Sequence, residues 1–100
     1  MKNYSVFPDY QSTGIWDEHD GCVNIPDYVS LELKMLIQYW HDYWELSINN
    51  EFEHYDYFNP EQFLADGKII VELLNSYKID NYSLKCDLSY FNSEPIQPLN

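Results

Sequence analysis

The chain contains no arginine; its five basic residues are all lysine. Without a guanidinium it lacks the rigid two-pronged clamp that best grips a phosphate or carboxylate. Against those five stand seventeen Asp and Glu, a formal net charge of −12 at pH 7. So negative a chain argues against direct binding to DNA, RNA or an anionic membrane. Long apolar runs are also missing. The longest are three residues, such as Met35-Leu36-Ile37 and Ile69-Ile70-Val71, so no segment spans a bilayer. Pro8 and Asp9 interrupt any signal-peptide core after Lys2, and the expected location is the cytoplasm. The two cysteines, Cys22 and Cys86, are too few and too irregularly placed for a disulfide framework or a zinc site. Both are expected to be reduced, with Cys86 in the core.

What is there is aromatic. Eighteen per cent of the 100 residues are Phe, Trp or Tyr, ten of them Tyr. With 45% hydrophobic residues the chain has enough to fill one core, and its length allows one small domain. Residues 1–92 are expected to form it, with 93–100, SEPIQPLN, as an extended tail. Plentiful Asn, Ile and Tyr, with Lys as the sole base, hint at AT-rich coding and so at a bacterium or phage.

Asn3 to Phe7 reads as a strand with Tyr4 and Val6 on one face, ended by Pro8. Gly14-Ile15-Trp16 reads as a second short strand, and Asp17 to Pro26 as a loop. From Ser30, a plausible N-cap, Leu33, Leu36, Ile37, Trp40, Tyr43 and Trp44 recur at one helical face. Lys34, Gln38, His41, Asp42 and Glu45 fall on the opposite face. This helix should run to about Leu46 or Ser47. A loop, INNEFEHYDYF, follows. Asn59 then caps a second helix with Pro60 at its first position, and Gln62 is placed to complete a capping box. Phe58 and Phe63 are spaced as a hydrophobic staple. Gly67 inside this helix costs about 1 kcal/mol against Ala and suggests close packing on a Trp of the first helix. Tyr82, Leu84, Cys86, Leu88 and Tyr90 alternate with polar residues as a last strand. The order β-(β)-α-α-β implies an α+β domain, two helices packed on a small antiparallel sheet whose first and last strands pair.

Few constellations carry chemistry. Asp17, Glu18, His19 and Asp20 are potential metal ligands, yet adjacent residues in an extended segment point apart, and the spacing is not that of an EF-hand. A solvated acidic turn is the simpler reading. His41-Asp42 and His54-x-Asp56 lack a nucleophile and a pocket. No G-x-S-x-G, P-loop or G-x-G-x-x-G occurs. The reading is of a protein that is no enzyme and needs no cofactor or metal. Glu51 to Phe58 differs: it alternates carboxylates with rings. Eighteen aromatic side chains, each carrying about 150–250 Å², are hard to bury in so short a chain. Exposed Tyr beside carboxylates suits a basic protein surface. The expected contact residues are Asp17, Glu18 and Asp20 of the first loop, Asp42 and Glu45 of the first helix, and Glu51, Glu53, Tyr55, Asp56 and Tyr57 of the second loop.

The runs GIWDEHDG, SLELKMLIQYWHDYWE and FLADGKIIVELLNSYKI, followed by an alternating strand, resemble a loose pattern. It is a Trp-Asp and Gly turn, a Leu-rich helix ending in Trp and Tyr, a Gly-containing helix and a strand. In this, Gly14 to Phe91 resembles the small acidic immunity proteins encoded beside polymorphic and contact-dependent growth-inhibition toxins. The resemblance implies a cytoplasmic inhibitor that binds one cognate toxin domain, one to one and without chemistry. The charge favours a basic nuclease as that toxin. An alternative is a phage-type nucleic-acid mimic that blocks a restriction or CRISPR nuclease. A small metal-dependent enzyme using Asp17, His19, Asp20 and His54 is a third.

Overall fold

A computed structural model describes residues 1–48 and 54–86. The chain opens with β1 (Asn3–Val6), which pairs antiparallel with β2 (Ile15–Asp17). Inside the segment expected to be loop, a short β3 (Gly21–Cys22) pairs back onto β2. Gly21 makes that return possible at φ +77°, a backbone region that residues with a Cβ rarely adopt. Helix α1 (Leu31–Leu46) and helix α2 (Pro60–Asn75) follow, and β4 (Asn81–Leu84) completes a sheet of order β3-β2-β1-β4.

The architecture is thus a small α+β domain, with one correction. The first and last strands do pair, but in parallel, Tyr4 opposite Tyr82 and Val6 opposite Leu84, so the sheet is mixed. The reason lies in the helices, which run antiparallel. The Tyr77 hydroxyl, just past α2, accepts the backbone N–H of Ser30 at 2.8 Å, just before α1. The chain therefore leaves α2 at the Asn3 end of β1, turns through Lys78 at φ +60°, and runs alongside β1 in the same sense. A parallel pair needs such a crossover, and the two helices supply it. Of the expected last strand, Tyr82 and Leu84 are in β4, but the strand ends at Leu84 and Cys86 lies beyond it; Leu88 and Tyr90, like the expected tail, lie outside the described residues.

Both helix starts follow from their caps. Ser30 Oγ accepts the Leu33 N–H at 3.1 Å and Asn59 Oδ1 accepts the Gln62 N–H at 3.0 Å. The expected return bond of the capping box is absent. Gln62 Nε2 donates instead to Asp66 at 2.9 Å, and the Asn59 N–H goes to the Tyr43 hydroxyl at 2.8 Å. Phe58 and Phe63 meet with ring centroids 5.5 Å apart. Helix α1 ends at Leu46, as expected, and α2 ends at Asn75.

Between helices and sheet lies a core of Val6, Ile15, Ile37, Phe63, Ile70 and Leu74, each at most 1% exposed. Trp40 stacks on Phe63 at 4.4 Å and donates its Nε1–H to the Phe63 carbonyl at 2.8 Å. Trp40 and Trp44 are buried and Cys86 packs against the core. Two positions of α1 depart from the expected faces. His41 is buried, because the loop after β1 folds over it, whereas Leu36 is 40% exposed. At the Asn3 end the Tyr28 hydroxyl donates to Asp80 at 3.0 Å and lies 2.5 Å from that of Tyr82. No helix among the described residues is long and apolar enough to cross a membrane.

Candidate protein interface

Helix α1 ends in a tight aromatic and acidic neighbourhood. Its last turns present Asp42, Tyr43, Trp44 and Glu45 to the loops on either side. From one side comes the segment after β1. A carbonyl can only accept, so the 2.6 Å contact between His41 Nε2 and the Asp9 oxygen makes Nε2–H the donor. The Ser12 hydroxyl lies 3.0 Å from the same nitrogen, and Glu45 Oε1 accepts the Gln11 N–H at 3.3 Å. The other ring nitrogen, Nδ1, faces the carboxylates of Asp42 at 3.6 Å and Glu45 at 3.7 Å. These contacts hold Tyr10 over the Trp44 indole, centroids 5.5 Å apart, with the phenol 45% exposed.

From the other side comes the segment 54–58. The Tyr57 hydroxyl donates to the Leu46 carbonyl at 3.1 Å, satisfying an oxygen that the helix end leaves open. The Tyr43 hydroxyl donates to the Tyr57 carbonyl at 3.1 Å. Tyr55 and Tyr57 stack on each other at 5.7 Å and 15°, and both are exposed, at 48% and 61%. Asp56 stands exposed between them. The rings are held in place before any partner arrives, which lowers the ordering entropy that binding costs.

His54 sits under this segment. Its ring stacks on Phe58 at 4.0 Å and its Nδ1 lies 2.5 Å from Ser47 Oγ. Burial pushes its pKa below the ordinary 6.5. A Ser–His pair invites a catalytic reading, but the geometry opposes it. Ser47 is wholly buried and its hydroxyl donates to the Trp44 carbonyl at 2.6 Å. With that proton committed, Oγ accepts from His54, the reverse of base activation. The pair ties the loop to the helix end.

The contact residues expected from sequence divide. Asp42, Glu45, Tyr55, Asp56 and Tyr57 all lie at the C-terminal end of α1, Asp42 and Glu45 on the side of the segment after β1 and Tyr55 to Tyr57 on the other. Glu51 and Glu53 lie outside the described residues. Asp17, Glu18 and Asp20 stand at the other end of the domain. Lys2 joins that turn to the start of β4, through Nζ 3.7 Å from Asp17 and its N–H donating to Asp80 at 2.8 Å, and Asp80 in turn accepts from Tyr28, just before α1. From the Ser30 cap to Asp42, α1 rises about 18 Å. Glu18 and Asp20 are exposed, but Asp17 is not a surface contact: it is 7% exposed. Its carboxylate accepts the N–H groups of His19 at 2.7 Å and Asp20 at 3.2 Å. The His19 N–H chiefly holds its pKa below the usual value. Asp17 therefore builds the turn that the other two decorate. Among the described residues no group of three or more His, Cys, Asp or Glu is placed to hold a metal ion.

The chain matches no family model and no curated protein. The reading of the surface therefore rests on its own chemistry. Sequence reasoning missed Tyr10 and His41. His41 carried a faint signal, being the polar residue beside Trp40 on a helix whose apolar face is wide. Tyr10 carried none.

Proposed function

We propose that this chain is an immunity-type inhibitor, binding one basic toxin domain one to one in the cytoplasm and performing no chemistry itself. The observation that supports this reading most is the stacked, exposed Tyr55–Tyr57 pair, pinned to the end of α1 with Asp56 exposed between them in the chain; Asp42 and Glu45 add negative charge on the Gln11 side of the same helix end. Such a face suits lysine and arginine side chains, which gain from ring faces and carboxylates together. Among the described residues one lysine–carboxylate pair forms, Lys2 with Asp17, so the carboxylates at the α1 end are not neutralised by a lysine of the described chain. The resemblance of Gly14 to Phe91 to immunity proteins points the same way. Nucleases are the preferred toxins, because a cleft that holds phosphates is basic.

A nucleic-acid mimic would carry carboxylates spaced along one face. The described contact acids instead fall into two groups separated by the length of α1, which favours a specific protein partner. The deciding experiment co-expresses the chain with the product of the neighbouring gene. Rescue of growth and a one-to-one complex that survives moderate salt are expected. No rescue and no complex would overturn the reading. Salt-sensitive binding to several unrelated nucleases would replace it with mimicry.

A further inference from the structure

Helix α1 is apolar on two sides. One side meets the core through Leu33, Ile37, Trp40 and Trp44. On the other, Leu31, Met35 and Tyr39 are 69%, 61% and 73% exposed. A surface helix ordinarily backs its single apolar stripe with polar residues. Ile69 and Leu73 of α2, 51% and 42% exposed, carry the apolar surface across to the second helix. Scattered apolar residues on a surface need no explanation, but a contiguous patch does.

The patch is also shaped. Between the antiparallel helices lie two depressions of about 290 and 230 Å³ that share Leu36. Leu73 and Tyr77 wall the first; Tyr39 and Ile69 wall the second. Together they follow α1 from Ser30 to Tyr43, about 20 Å or nearly four turns of a docked helix. The charges bordering them are of one sign. Glu32 lines the first depression and Asp66 the second, and no basic side chain lines either. A second copy of the chain would set these carboxylates against their own kind, with −12 on each molecule, and like charges across an interface disfavour the pairing. A cationic partner has the opposite balance.

We propose that the furrow around Leu36, Tyr39, Ile69 and Leu73 is a docking groove for an amphipathic helix of another protein. That helix presents apolar side chains at i, i+3 or i+4, and i+7, with lysine or arginine near its ends to meet Glu32 and Asp66. The groove adjoins the Tyr55–Tyr57 face at Tyr43, which lines its end and donates to the Tyr57 carbonyl, but neither Tyr55 nor Tyr57 lines it; the inference goes beyond the proposed inhibition and holds whether or not the partner is a toxin.

Calorimetric titration of the full chain with a synthetic amphipathic Leu/Lys helix of about four turns tests it. Controls are a scrambled peptide of the same composition and a Leu/Glu counterpart. Saturable one-to-one binding of the Leu/Lys helix is expected, at least tenfold tighter than the scrambled peptide, with no binding of the Leu/Glu helix. Tyr39→Glu and Ile69→Glu should each weaken it at least tenfold while leaving the melting temperature nearly unchanged, since both side chains are exposed. Tyr55→Ala should leave it unaltered, which separates this groove from the inhibitory face. Equal binding of the scrambled peptide, or indifference to both glutamate variants, would overturn the groove. So would a dimer in sedimentation that Tyr39→Glu dissolves, because the occupant would then be a second copy.

Discussion

Gly67 of α2 packs directly under the indole of Trp40: a Cβ added at Gly67 would stand 2.9 Å from Trp40 Cζ2 and 3.1 Å from a Leu84 methyl. The glycine is there for proximity. It lets two helices and β4 converge on one ring, and the ring in turn stacks on Phe63.

Gly67→Ala is therefore expected to destabilise the domain despite alanine's better helix propensity. The propensity gain is about 1 kcal/mol, whereas forcing a methyl into a filled core costs about 1–3 kcal/mol. The indole is held by its hydrogen bond to Phe63, so it yields little and the cost falls in the upper half of that range, about 2–3 kcal/mol, which leaves a net loss of about 1–2 kcal/mol. Thermal melting should show a drop of about 4–16 °C for a domain of this size. A variant that melts higher than the parent would mean that the ring moves freely.

Trp40→Ala should cost about 3–5 kcal/mol, a large part of the stability of so small a domain. Trp40→Phe keeps the stack but abandons the Phe63 carbonyl. It is expected to fold, with a loss of about 0.5–1.5 kcal/mol for the hydrogen bond given up, because the Phe63 carbonyl keeps its place in the ladder of α2. Chemical denaturation of the three proteins orders them parent, Phe, Ala.

His41→Ala removes the donor to the Asp9 carbonyl and the neighbour of the Ser12 hydroxyl. The segment from Asp9 to Thr13 should lose its anchor to α1, and Tyr10 its seat on Trp44. Amide exchange in that segment should accelerate at least tenfold while exchange in α2 and β4 changes little. Uniform acceleration across the chain would instead mark His41 as a general core residue.

Two groups set the expected response to acid. His54 is held neutral by burial, with its pKa below the ordinary 6.5. The unfolded chain therefore binds the proton first, and stability is lost as the pH falls below about 6.5 toward the lowered folded value. Asp17 has its pKa lowered from 3.8, so its contribution is present above that value and is lost as the pH falls through the folded one. Relief of self-repulsion among the carboxylates acts in the other direction, so the comparison must be with a variant. His54→Gln should flatten the pH dependence of the melting temperature between about pH 5 and 7. Parallel curves for the two proteins would show that His54 does not contribute.

Tyr55→Ala and Asp56→Lys test the proposed inhibitory face. Both side chains are exposed, so folding should be untouched. Affinity for the partner should fall at least tenfold for each, with the lysine variant also slowing association, because it removes steering charge. Glu18→Lys and Asp20→Lys, at the far end of α1, should have the smaller effect. If they prove the more damaging pair, the contact face is the β2–β3 turn.

Much of this domain follows from local chemistry. Ser30, Asn59 and Pro60 start the helices because their side chains and fixed dihedrals satisfy helix ends without outside help. The periodicity of Leu33, Ile37, Trp40 and Trp44 selects the buried face, and Gly67 signals the close approach of a tryptophan. The acidity and the surplus of tyrosine are properties of composition alone. Tertiary structure decided the rest. It set β4 parallel to β1, because strand direction depends on where α2 delivers the chain. It buried His41, because a loop 29–32 residues away supplies its partners. It took Asp17 out of the contact surface, because the carboxylate found two backbone N–H groups in its own turn. It opened the furrow at Leu36, because α1 and α2 stand side by side with only one face against the sheet. Each of these depends on contacts between segments that no spacing along the chain encodes, whereas a cap or a helical stripe is complete within a few residues.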